Sequence, residues 1–203
     1  MLNLDKKVLD NKRYYRKLQQ TVVHVYSNGA MECAKCGEDN LIVLQIDHVK
    51  DDGYSHRKIV GGHVYEWLIR NNFPVGFQVL CANCNWDKRF KIQNIRRKKF
   101  DESRALKRKY DIEKRVELRE SIINHYTRGQ MCCAKCGENK YCVLQIDHKF
   151  GGGGRHKREV NCVDSIAFYK WIVRNNFPKG LQILCANCNT LKRYRNGECC
   201  KRK

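Results

Sequence analysis

An Asp-His pair occurs twice in the chain, at Asp47-His48 and at Asp147-His148, and each is followed downstream by an Asn set directly after a cysteine, Asn85 and Asn189. A carboxylate is a hard oxygen donor and an amide carbonyl a neutral one. Two such ligands can hold Mg²⁺ and leave positions for water and for phosphate oxygens. An imidazole that titrates near neutrality can take the proton of an attacking water. The cation then stabilises charge on the pentavalent phosphorus and on the leaving 3′ oxygen. Asp, His and Asn are thus the minimal apparatus for one-metal hydrolysis of a phosphodiester. The bland alternative is that the Asp-His pairs cap a strand end and hydrogen-bond the loop after it.

The cysteines supply a frame. Of 13 Cys, eight fall in four CxxC pairs: Cys33/Cys36, Cys81/Cys84, Cys133/Cys136 and Cys185/Cys188. A CxxC turn points two thiolates at one place, and two such turns complete a tetrahedral Zn²⁺ site, so four pairs make two structural zinc sites. An odd cysteine count and the absence of an apolar leader favour metal thiolates over a disulfide framework. Cys132 could replace Cys133 in an alternative register, but the residue before Cys33 is Glu32, which favours Cys133.

The chain is a tandem repeat. Tyr26–His48 (YSNGAMECAKCGEDNLIVLQIDH) returns as Tyr126–His148 (YTRGQMCCAKCGENKYCVLQIDH) at an offset of 100, and Trp67–Asn85 (WLIRNNFPVGFQVLCANCN) returns as Trp171–Asn189 (WIVRNNFPKGLQILCANCN) at an offset of 104. Each copy holds its own cysteine quartet, and a unit this small has a thin core that zinc must supplement. The expected order is a first repeat over 23–90 and a second over 121–196. A basic N-terminal helix covers 1–22, a basic helical linker 91–120 and a basic tail 197–203.

The elements that must position the chemistry follow from pattern. Leu41–Ile46 and Tyr141–Ile146 are short β-rich apolar runs and read as strands. Asp51-Asp52-Gly53 and Gly151–Gly154 read as loops. Val64, Trp67 and Leu68, and likewise Phe168, Trp171 and Ile172, fall at i, i+3, i+4 and read as helix core faces ended by Pro74 and Pro178. Phe77–Leu80 and Leu181–Leu184 are second strands that enter the second CxxC, with helices starting near Ala82 and Ala186. Asp87–Arg119 has no Pro or Gly and reads as a long basic helix, with a restart near Asp101-Glu102-Ser103.

Lys and Arg number 41 against 21 Asp and Glu, a formal net charge of +20. Such a chain seeks a polyanion, and nucleic acid is the usual one because each phosphate contact releases a condensed counterion. Arg96-Arg97-Lys98-Lys99 is too one-sided for an ordinary solvated face and reads as phosphate-contacting. His56 and His156 also repeat, each followed by basic residues. They either help hold a scissile phosphate or sit in a solvated basic loop. No run of apolar residues is long enough for a membrane span, and no secretory leader is visible, so an intracellular, reducing location is expected.

The order CxxC, then Asp-His, then CxxC-Asn-xx-Lys resembles the HNH, or ββα-metal, endonucleases, most closely the zinc-stabilised branch that includes the phage recombination endonuclease VII type and some HNH restriction enzymes. The matching residues are Cys33, Cys36, Asp47, His48, Cys81, Cys84, Asn85 and Lys88, and then Cys133, Cys136, Asp147, His148, Cys185, Cys188, Asn189 and Lys192. The resemblance implies His48 and His148 as general bases. Asp47, Asn85, Asp147 and Asn189 become ligands of a catalytic Mg²⁺ or Mn²⁺, and Lys88 and Lys192 phosphate contacts. Apart from the resemblance, the neighbouring Arg89 and Arg193 are expected nucleic-acid contacts. One departure stands out. Where many family members carry a central Asn that braces the loop bearing the His, this chain has Gly76-Phe77-Gln78 and Gly180-Leu181-Gln182. The brace is then absent or supplied by another residue, such as Gln78 and Gln182.

The reading is therefore an α+β protein: a tandem duplication of a small zinc-bound ββα-metal, treble-clef-like unit joined by a long basic helical linker. Its expected activity is metal-dependent cleavage of double-stranded DNA, site-specific and double-stranded in the manner of restriction or homing enzymes. It would act as a monomer with an internal pseudo-dyad or as a homodimer. The alternatives are a non-catalytic tandem zinc-knuckle binder of nucleic acid and a structure-selective junction endonuclease.

Overall fold

The computed structural model describes residues 2–60, 63–98, 105–162 and 164–198, with backbone alone for 2–9, 94–98 and 105–109. Among the described residues the chain is mixed α+β, with eight α-helices and two two-stranded antiparallel sheets. It divides into two compact units: one runs to Asn85 and takes in Gly197, and the other is Trp86–Asn196. No described helix is long and apolar enough to cross a membrane.

Element order repeats. Helix α1 (Leu2–Tyr26) leads to β1 (Leu44–His48), α2 (Gly53–Val60), α3 (Val64–Arg70), β2 (Phe77–Cys81) and α4 (Ala82–Lys98). Helix α5 (Ala105–Thr127) leads to a 3₁₀ turn (Tyr141–Val143), β3 (Leu144–His148), α6 (Gly153–Glu159), α7 (Ser165–Arg174), β4 (Leu181–Cys185) and α8 (Ala186–Arg195). The hairpins share one register: Leu44 faces Cys81 and Asp47 faces Gln78, as Leu144 faces Cys185 and Asp147 faces Gln182.

Five-residue hairpins are marginal in water without a packed face. In the second unit that face comes from α5. Ile123 packs with Val143, Leu144, Ile183 and the zinc-knuckle cysteines, and its neighbour Ile122 packs with Phe168, Ile172 and Leu181. Val22 and Val23 of α1 are buried to the same degree in the first unit. Each such side chain contributes about 1.5–3 kcal/mol when fully buried.

Three expectations change in detail. The apolar runs expected as strands begin with a turn. Asn40 Oδ1 accepts from Ile42 N at 3.1 Å and Val43 N donates to the Asn40 carbonyl, so only Leu44 onward is extended. The carbonyls this leaves over are taken by a side chain from the preceding helix. Gln19 Nε2 donates to Leu41 and Leu44 in the first unit, and Arg119 to Tyr141 and Leu144 in the second. The glycine-rich segments expected as loops carry the short helices α2 and α6. Finally, α3 and α7 stop at Arg70 and Arg174, ahead of the prolines. Asn72 and Phe73 both take positive φ, 53° and 52°, while Phe73 N closes onto the Leu68 carbonyl. Pro74 and Pro178 serve elsewhere, their carbonyls accepting from the Tyr26 and Tyr126 hydroxyls at 2.7 Å. The expected restart at Asp101–Ser103, Lys99, and Cys199 and Cys200 of the tail lie outside the described residues.

Candidate metal centres and hydrolytic site

Two cysteine quartets come together, Cys33, Cys36, Cys81 and Cys84 in one unit and Cys133, Cys136, Cys185 and Cys188 in the other, all sulfurs within 4.8 Å of one another. A tetrahedral Zn²⁺ with Zn–S of about 2.3 Å needs sulfurs about 3.8 Å apart. Cys36 and Cys81 are 3.7 Å apart and Cys136 and Cys185 3.6 Å. The fit is to two structural zinc ions. Cys132 is excluded from the quartet, its thiol turned to Gln130 Oε1 at 3.8 Å.

Local structure explains the aim of each sulfur. The first knuckle is tied to the hairpin by Ala34 N on the Val79 carbonyl, and its partner by Ala134 N on the Ile183 carbonyl. The second knuckle is a helix start: Cys185 Sγ caps α8 by accepting from Cys188 N. Burial pushes the thiols up. Cys81 rises to about 11, while Cys84 and Cys188 rise further under the charge of neighbouring sulfurs. Burial also acts on Cys33 and Cys133, but backbone N–H groups outweigh it and bring both below the usual thiol value. Four thiolates this close repel, and a dication resolves that repulsion.

The zinc frame sets strand end against helix start. In the second unit Gln145 and Asp147 lie two residues apart on one face of β3, and Asn189 and Lys192 three apart on one face of α8. Two bonds join these faces. Asn189 Nδ2 donates to Gln145 Oε1 at 2.6 Å, and Lys192 Nζ donates to Asp147 Oδ2 at 2.6 Å and to the His148 carbonyl. Gln182 Nε2 also donates to Asp147 Oδ2, at 2.7 Å. In the first unit Asn85 Nδ2 donates to Gln45 Oε1 at 2.9 Å and Gln78 Nε2 to Asp47 Oδ2 at 2.8 Å. Lys88 stands one turn beyond Asn85 on α4.

No protein-family model, curated protein or solved structure matches this chain. What the site can do rests on its own donors. Asn189 Oδ1 is buried without a hydrogen-bond partner, and the hydrogen bonds of Asp147 both fall on Oδ2. A carboxylate oxygen and an amide oxygen are each donors of the kind that a hard divalent cation takes.

The imidazoles do not stand alone. His48 Nε2 lies 2.9 Å from His56 Nδ1 and His148 Nε2 lies 2.7 Å from His156 Nδ1. Burial pushes His148 below the usual imidazole value, and His156 acts in the same direction against the carboxylate of Asp147. His148 is therefore neutral near pH 7. Of the other expected nucleic-acid contacts, Arg89 is exposed and lies over the Trp86 ring at 5.1 Å, and Arg193 is exposed on α8. Arg96, Arg97 and Lys98 belong to the last turn of α4, with their side chains outside the description, and Lys99 lies beyond it.

The sequence reading missed Gln45 and Gln145 as holders of the Asn. It foresaw Gln78 and Gln182 only as braces for the His. Their signal was the repetition of Leu-Gln-Ile-Asp-His and of a Gln two residues past Gly76 and Gly180 in both copies.

Proposed function

We propose that each unit is a hydrolytic site of the HNH, or ββα-metal, kind, and that the chain is a metal-dependent endonuclease acting on double-stranded DNA. The observation that carries this reading is the pairing, in both units, of an Asp-His strand end with an Asn-bearing helix start, the Asn held so that Nδ2 is occupied and, in the second unit, Oδ1 is buried and unpartnered. A hard cation would satisfy that oxygen.

In this reading Asp147 and Asn189, and Asp47 and Asn85, would hold one Mg²⁺ or Mn²⁺ per unit, which would supply stabilisation of the charge on the phosphate and its leaving oxygen. His148, neutral at pH 7, takes the proton of the attacking water, and His48 does so in the first unit. Gln182 and Gln78 aim the carboxylates. Lys192 leaves Asp147 to meet a phosphate oxygen when DNA enters, since both are anionic partners for one ammonium. Two such sites on one chain suit cleavage of both strands at a specific site, and the net charge of +20 supplies attraction to the duplex.

A second reading, binding without cutting, is favoured by Lys192, whose ammonium is already seated on the carboxylate that the cation requires. The two part in a plasmid assay. Zinc-loaded protein with Mg²⁺ is expected to convert supercoiled DNA to nicked and linear forms, and EDTA to stop it. Gel shift without nicking in Mg²⁺, Mn²⁺ and Ni²⁺ supports the binder.

A further inference from the structure

His56 and His156 come from the short helices α2 and α6 and meet the strand-end imidazoles through Nδ1. The ring of His56 is held by Trp67, edge to face at 4.4 Å, and that of His156 by Trp171 at 4.8 Å. At such nitrogen–nitrogen distances one ring donates and the other accepts. The direction follows from the remaining nitrogen. His56 Nε2 is buried with no hydrogen-bond partner. A bare lone pair there would be a stranded acceptor, whereas an N–H in that place can meet the face of an aromatic ring. With its proton on Nε2, His56 would accept at Nδ1 from His48 Nε2–H, and the repeated Nε2–Nδ1 contact of His148 with His156 carries the same direction to the second unit.

We propose that His56 and His156 are positioning residues that fix the tautomer and the ring plane of His48 and His148, placing the basic lone pair of each on Nδ1. The inference rests on the nuclease reading for its consequence in catalysis, though the tautomer itself does not depend on it. It also fills the place of the missing Asn brace, since Gln78 and Gln182 are engaged with Asp47 and Asp147. The glycines above the rings agree with it. A Cβ on Gly53 would stand 3.0 Å from His48 Nδ1, and one on Gly153 2.7 Å from His148 Nδ1. Side chains there would crowd the nitrogen that carries the lone pair, which explains why helices α2 and α6 begin with a poor helix former.

The test uses the full zinc-loaded chain with ¹⁵N-labelled histidine, without DNA, above pH 8. Two-bond ¹⁵N–¹H correlations are expected to show His48 and His148 protonated on Nε2, and H56F and H156F to return the corresponding ring to a mixture of tautomers. In the plasmid assay the double variant is expected to lose about 10–100-fold in kcat at unchanged KM. Partial recovery is expected in H56N with H156N, because Asn Oδ1 is as many bonds from Cα as His Nδ1 and accepts in its place. His48 and His148 protonated on Nδ1, or tautomers indifferent to the Phe substitutions, would overturn the brace. So would full activity in the Phe variants of a chain that cuts. A wild-type chain that cuts nothing ends the nuclease reading instead, and the tautomers still decide the brace.

Discussion

Asn189 and Gln145 share a side-chain hydrogen bond of 2.6 Å, amide nitrogen to amide oxygen, across the seam between α8 and β3. The bond holds Nδ2 toward Gln145 and leaves Oδ1 as the buried end of the amide without a partner. Without it the amide can turn over, and in the proposed site it would then present a donor where the cation needs an acceptor. In an H48A background, where only the second site is read, Gln145→Ala is expected to lower cleavage by about 10–100-fold, the usual cost of removing a group that orients a metal ligand. Zinc content should stay at two per chain. Unchanged cleavage would show that Asn189 does not need the anchor.

Zinc is expected to be integral to folding. A structural zinc site contributes on the order of 10 kcal/mol, comparable to the whole stability of a small domain. Cys136→Ser should reduce bound zinc from two ions to one and unfold its own unit, read by metal analysis and by loss of the near-ultraviolet signal. A variant that keeps both ions would contradict the assignment of the quartet.

Gln19 and Arg119 do one job with different chemistry, each satisfying two carbonyls of the turn before a strand. Arg119→Gln should therefore be nearly neutral. Arg119→Ala strands both carbonyls and should cost about 1–3 kcal/mol in urea unfolding. Equal losses in the two variants would mean that the charge of Arg119, and not its hydrogen bonds, is what stabilises.

The two sites should be separable. His48→Ala and His148→Ala are each expected to leave an enzyme that nicks one strand, so that supercoiled plasmid accumulates as open circles. The double variant should not cut while still shifting DNA in a gel. If one single substitution abolishes all cutting, the units are not equivalent and one of them only binds.

Alkaline pH should act through the tyrosines that close the helix-strand junctions. Burial pushes the Tyr126 phenol up to about 12 and that of Tyr26 up as well. Because the folded value lies above the unfolded one of about 10, their contribution is complete below pH 10 and is lost as pH rises toward 12. Tyr126→Phe should make the fall in stability over that interval shallower, as followed by thermal unfolding. An identical slope would assign the loss to other groups.

Much of this was legible from residue type and spacing. The cysteine quartets follow from four CxxC turns, and β2, β4 and the starts of α4 and α8 from short apolar runs entering a knuckle. The helices α2 and α6 were not legible, because Gly53 and Gly151–Gly154 carry a local preference for turns. The reason for glycine is a ring lying under the helix, which only the fold supplies. The same holds for Gln45, Gln78, Gln145 and Gln182. Each is an unremarkable strand polar residue until a partner dozens of positions away in the chain is brought across from it. His56 and His156 were visible as a repeat, and their distances to His48 and His148 supply the contact that repetition alone could not.

The central claim, one divalent cation held between strand end and helix start beside each imidazole, is tested most directly by anomalous diffraction from zinc-loaded crystals soaked in Mn²⁺. The account predicts a manganese peak within coordination distance of Asp147 and Asn189 and another at Asp47 and Asn85, separate from the two zinc positions. Signal at the cysteine quartets alone, with Lys192 still seated on Asp147, would contradict it.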